Sequence, residues 1–111
     1  DADSIIRTLL TQTDRVYQTL FDNDALVFEN GQLPSVGLVD TDKKPFVTLT
    51  CTDFPYVGIW SKPDGPYVCL EPWLGRTDNM DSTGDLAEKP GEQRLDANTE
   101  STFNYTIEFH G

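Results

Sequence analysis

The sequence predicts an all-β fold, an antiparallel β-sandwich, on three observations. Short apolar or alternating runs recur from Ala25 onward, and residues that make turns bound each of them. The last run is the clearest: Phe103, Tyr105, Ile107 and Phe109 alternate with Asn104, Thr106, Glu108 and His110, as in a half-buried antiparallel strand. Strands this short, at this spacing and with Gly/Pro turns between them, build sandwiches or barrels.

The elements follow in order. From Ser4 to Leu20 the pattern is mixed. Ile5, Leu9, Thr13, Val16, Tyr17 and Leu20 would line one helical face, yet the same stretch reads as a strand at Ile5–Leu10. A strand there, then a helical turn from Asp14 to Phe21 capped by Thr13 or Asp14, is the expectation. Ala25–Glu29 is a strand closed by the turn pair Asn30-Gly31. Ser35–Asp40 and Pro45–Cys51 flank the polar residues 41–44 and predict a hairpin. Tyr56–Trp60 and Pro66–Glu71 are strands joined through Ser61-Lys62-Pro63-Asp64-Gly65, where Pro and Gly demand a turn. Thr77 to Asn98 reads as loop.

Composition narrows the function. The 111 residues suit one unit, and 37% of them are apolar. Nineteen acidic against 8 basic residues leave a formal charge of -11, which repels nucleic-acid phosphates and anionic membrane surfaces. Neither nucleic acid nor membrane is an expected partner. No apolar run reaches the length of a membrane span and no signal-peptide pattern is present, so a cytoplasmic location is expected. Cys51 and Cys69 both lie in strand-like apolar runs, where reduced thiols are expected.

One carboxylate stands out. Glu71 sits inside the apolar run Tyr67-Val68-Cys69-Leu70-Glu71-Pro72-Trp73. In an extended strand Tyr67, Cys69 and Glu71 share a face while Val68 and Leu70 take the other. Glutamate is seldom buried unless paired or used, so Glu71 is a candidate general base. The plain alternative is a strand-end acid that reaches water. No metal is expected. The acidic loop 78–85 places Asn79, Asp81 and Thr83 as calcium ligands when Gly84 is the loop glycine, but Pro90 then stands where a bidentate Glu belongs. No Cys/His cluster has zinc spacing, and neither a phosphate loop nor a nucleophile elbow occurs.

The run GIWSKPDGPYVCLEPWLGRTD, with LFDNDALVF before it and LAEKPGEQRLDANTESTFNYTIEF after it, resembles the C-terminal part of the aldose 1-epimerase (galactose mutarotase-like) family. The branch it resembles most is the one associated with bacterial lactose operons. The resemblance runs from about Leu20 to Phe109, and family members are considerably longer. It implies that residues 1–111 are the C-terminal share of a larger β-supersandwich, whose N-terminal portion is the missing partner. The implied activity is interconversion of sugar anomers, with an aldohexose as substrate and no cofactor.

In that family a carboxylate takes the anomeric proton and a histidine protonates the ring oxygen. Glu71 matches the base. The acid comes from the N-terminal portion, and nothing here corresponds to it; the single histidine, His110, reads as an exposed residue near the end of the last strand. Asp24 matches an aspartate that holds a sugar hydroxyl, although Asp and Asn also make turns through their own backbone bonds. Trp60 and Trp73 can each offer an indole to a pyranose or serve as core; Trp60 is the substrate-binding candidate because its strand is expected beside that of Glu71. Lys62 and Arg76 either orient Glu71 or are solvated. A carbohydrate-binding β-sandwich without catalysis is the alternative function.

Overall fold

The computed structural model describes residues 21–63 and 65–111. The strand expected at Ile5–Leu10 and the helical turn expected from Asp14, all but its last residue Phe21, lie outside them. Six strands occur among the described residues: β1 (Leu26–Phe28), β2 (Ser35–Val39), β3 (Pro45–Thr50), β4 (Tyr56–Trp60), β5 (Cys69–Trp73) and β6 (Thr106–Phe109). They form two three-stranded antiparallel sheets, ordered β1-β4-β5 and β2-β3-β6. The all-β prediction holds.

Turn chemistry sets the strand ends. β1 begins after Asp24, whose φ is 81°, and ends before Asn30 and Gly31, whose φ values are 59° and 64°. Two successive left-handed residues, closed by Gln32 N–H donating to the Glu29 carbonyl at 3.2 Å, make a type I′ turn. The expected hairpin between β2 and β3 is present. Asp40 Oδ1 accepts from the Asp42 and Lys44 amides at 2.9 Å each, and Lys43 takes the left-handed position with φ 63°.

Parity along the strands builds one core. Phe28, Val57 and Ile59 of the first sheet are buried against Val36 and Leu49 of the second, with Phe21, Leu33 and Cys51 closing the cluster. Burial of such side chains contributes about 1.5–3 kcal/mol each before entropy is charged against it. The other faces differ in character. That of β2-β3-β6 is mostly polar, with Thr48 level with Glu108 and Thr50 level with Thr106, and the exposed Phe46 at one end.

Three expectations are corrected. β5 runs Cys69–Trp73 rather than Pro66–Glu71. The chain before it is folded into the turn instead, where buried Ser61 donates its hydroxyl to the Tyr67 carbonyl at 2.6 Å. Among the described strands β5 lies at the edge of its sheet, where Pro72 is tolerated because one side needs no donor. β6 starts only at Thr106: β3 ends at Thr50, the chain turns at Cys51–Phe54, and Phe103 and Tyr105 pack around Phe54 with ring centroids 6.3 and 6.2 Å away. The apolar side of β6 is also not half-buried. Ile107 and Phe109 continue the inner face of β3 beyond the core and remain 49% and 80% exposed. Within the loop expected from Thr77 to Asn98, Leu86–Glu88 forms a 3-10 turn capped by Asp85.

Candidate functional site

The outer face of β4 and β5 carries the candidate residues. Antiparallel register sets Tyr56 opposite Trp73, Gly58 opposite Glu71 and Trp60 opposite Cys69. Opposed residues share a face, so the six line one side of the sheet, with Val27 of β1 level with Gly58; Trp60, at the end of β4, also packs against the core cluster. Glu71 is half-buried there. Leu70, on the face opposite Glu71 as the alternation set it, packs on the core.

Two aromatic groups frame the carboxylate. Trp73 Nε1 donates to Glu71 Oε2 at 3.0 Å. The indole rests on Gly58: a Cβ built there would stand 2.5 Å from Cζ2 and 2.9 Å from Cε2. Tyr56 packs in turn against Gly91, whose φ of 79° and contact with the phenol oxygen (2.9 Å from a built Cβ) require glycine. On the other flank Trp60 meets Tyr67 edge-on, with centroids 6.3 Å apart at 61°. The Ser61 hydroxyl holds this end by pinning the Tyr67 carbonyl.

The remaining sequence candidates fall elsewhere. Asp24 lies just before β1, three residues beyond the level of Glu71 (about 10 Å along the strand) and two strands away. Its Oδ1 accepts from the Ala25 amide at 2.8 Å and its backbone is left-handed, so locally it is a turn residue. Arg76 does not approach Glu71. Its Nε stands 3.4 Å from Glu29 Oε1, and its Nη1 donates to Asn79 Oδ1 at 2.8 Å, tying the loop after β5 to the end of β1. Lys62 is exposed in its turn.

His110 is anchored rather than frayed. Its Nε2 lies 2.9 Å from Thr48 Oγ1, its Nδ1 3.2 Å from Glu108 Oε1, and its amide donates to the Phe46 carbonyl at 3.0 Å. Those partners belong to the polar outer face of β2-β3-β6, so His110 and Glu71 stand on opposite sides of the sandwich.

The cysteines are not joined. Cys51 is fully buried, its Sγ 3.7 Å from the Leu33 carbonyl, and burial pushes its thiol pKa up. Cys69 shares the outer face with Glu71. Among the described residues no group of three or more His, Cys, Asp or Glu side chains is placed to hold a metal, and no helix is long and apolar enough to cross a membrane. The acidic loop forms a polar hollow of about 230 Å³, partly filled by the Thr83 hydroxyl donating to Glu88 at 2.7 Å.

The Glu71–Trp73 bond is the feature that sequence reasoning missed. Trp73 appeared there as an indole offered to a pyranose or as core; here its N–H is bonded to Glu71. The signal was present in the spacing, since residues two apart on a strand share a face.

Two relatives match the chain: the plasmid and chromosomal forms of Protein LacX from Lactococcus lactis subsp. lactis. Each is 29% identical over 73 residues, which is 65% of this chain and 24% of LacX. The chain is a distant relative of LacX. It spans about a quarter of the length of these relatives. No protein-family profile and no solved structure matches it.

Proposed function

We propose that the chain is the C-terminal part of an aldose 1-epimerase-like isomerase of the cytoplasm, with Glu71 as general base. The observation that carries the reading is a half-buried carboxylate on an open sheet face, one oxygen bonded by Trp73, with a second aromatic group at Trp60. The distant likeness to LacX agrees with the family that the motif around Glu71 resembles. On this reading Glu71 takes the anomeric hydroxyl proton of an aldohexose. The C1–ring-oxygen bond breaks as the C1 carbonyl forms, and the ring oxygen takes a proton from the acid. Rotation about C1–C2 and reversal of these steps deliver the other anomer. Trp60 supplies an apolar surface for the pyranose, and Asp24 is the proposed acceptor of a sugar hydroxyl at the margin of the face. No cofactor takes part.

The acid belongs to the N-terminal portion of the complete protein. A second reading, sugar binding without catalysis, draws support from the position of His110 on the opposite side of the sandwich. Anomer exchange followed by NMR on the complete protein separates the two. Glu71→Gln keeps size and polarity but removes the basic oxygen. The rate is expected to fall by about 10²–10⁴ with sugar affinity retained. Near-normal turnover in Glu71→Gln would overturn the assignment. Sugar binding with no exchange by the parent protein would favour the binding module.

A further inference from the structure

We infer that Trp73 is the positioning residue for Glu71: its indole N–H fixes one carboxylate oxygen and leaves the other as the atom that meets substrate. This deepens the proposed function and rests on it.

Three observations converge. The donor and acceptor sit two residues apart on one face of one edge strand, and the bond is 3.0 Å long. The ring has a seat shaped for it, because Gly58, directly opposite Glu71, is the residue whose missing Cβ leaves room for Cζ2, Cε2 and Cη2. Tyr56 lies directly opposite Trp73 on the same face and is itself packed on Gly91.

The chemistry of the pair gives the arrangement its meaning. An indole N–H donates and never accepts, so its partner is always a carboxylate oxygen, Oε2 here, and the bond is made only to the group in its role as acceptor. A carboxylate held at one oxygen no longer rotates freely, and a base must lie within about 2.6–3.2 Å of the proton it takes. Trp73 thereby gives up its own N–H to the carboxylate. Trp60, displaced toward Cys69 and Tyr67, remains as the aromatic surface for the sugar.

The test has a spectroscopic arm and a kinetic arm. The chain holds two tryptophans and therefore two indole N–H resonances. In ¹⁵N-labelled protein, acidification should move the Trp73 resonance, identified by its loss in Trp73→Phe. The movement should vanish in Glu71→Gln, which separates Glu71 from the other carboxylates that acidification protonates; Tyr56 and Cys69 on the same face stay protonated throughout. In the complete protein Trp73→Phe keeps a ring on Gly58 but removes the donor. It should lower kcat roughly ten- to hundredfold, the size of a lost bond to a charged group, with KM changed less than about twofold. Gly58→Ala, which displaces the ring with both partners present, should lower kcat likewise and covers the case of a Trp73→Phe protein that does not fold. An indole resonance indifferent to Glu71, or full kcat in the variants while Glu71→Gln is inactive, overturns the positioning role and leaves the base assignment standing. Full turnover in Glu71→Gln overturns the base assignment itself.

Discussion

Gly58→Ala offers a sharp physical test of the site's construction. The added methyl carbon would lie 2.5, 2.9 and 3.0 Å from three atoms of the Trp73 ring, where carbon atoms settle at about 3.5–4.0 Å. The indole must therefore recede by about 1 Å or more. A 3.0 Å hydrogen bond stretched by that amount is no longer one. Crowding of this kind costs about 1–3 kcal/mol. Replacing glycine by alanine returns about 0.4–1 kcal/mol by restricting the unfolded chain. Trp73 is half-buried on an open face and can swing outward, which places the net loss at about 1–2 kcal/mol.

Urea unfolding followed by far-UV circular dichroism reads this loss as a lower midpoint at unchanged slope. Partnering the variant with Trp73→Val sharpens the result. With no ring to displace, Gly58→Ala should become nearly neutral, and the double-mutant cycle should return a coupling of about 1–2 kcal/mol. A Gly58→Ala protein as stable as its parent, or a coupling within about 0.3 kcal/mol of zero, would refute the seating of the ring on Gly58.

Two more outcomes are expected. Burial raises the pKa of Cys51 above its ordinary value of 9.0, so the unfolded chain loses this proton first as pH rises. The stabilisation is whole below about pH 9 and declines above it, and Cys51→Ala should flatten that alkaline decline in unfolding free energy measured across pH. Leu49, 4% exposed between the sheets, should cost about 2–5 kcal/mol as Leu49→Ala, whereas Phe109→Ser, at an 80% exposed position, should stay within about 0.5 kcal/mol in the same denaturation assay.

The strand pattern was legible because its period is local. Alternation about Glu71 separated Leu70 from Cys69 onto opposite faces, and the turn residues Asn30-Gly31 and 41–44 marked where strands stop. What period alone does not contain is partnership. Phe103 and Tyr105 alternate as well as Ile107 and Phe109 do, yet β3 ends opposite Thr106, so the earlier pair packs on Phe54 instead of joining the ladder. Pro66 and Pro72 look alike in sequence. One precedes the strand and the other lies inside it, where β5 has a single neighbour among the described strands. Gly58 shows the same limit at the site, where its meaning comes from the indole across the ladder rather than from any turn.

The placement of charge across the sandwich bears on what completes the proposed reaction. A pyranose exchanges anomers when base and acid reach its anomeric hydroxyl and ring oxygen in one encounter. Glu71 faces outward from β4-β5 and His110 outward from β2-β3-β6, with the buried layer of Phe28, Val57, Ile59, Val36 and Leu49 between them. Two stacked sheets stand about 10 Å apart before side chains are added, so these two residues do not share a sugar. On the proposed mechanism the acid therefore comes over the Glu71 face from chain beyond these strands. That requirement agrees with relatives about four times the length covered here and gives the proposed N-terminal partner a defined task. The described strands supply a carboxylate with one oxygen held by Trp73, and under the proposal the partner supplies the proton donor that meets the sugar on that face.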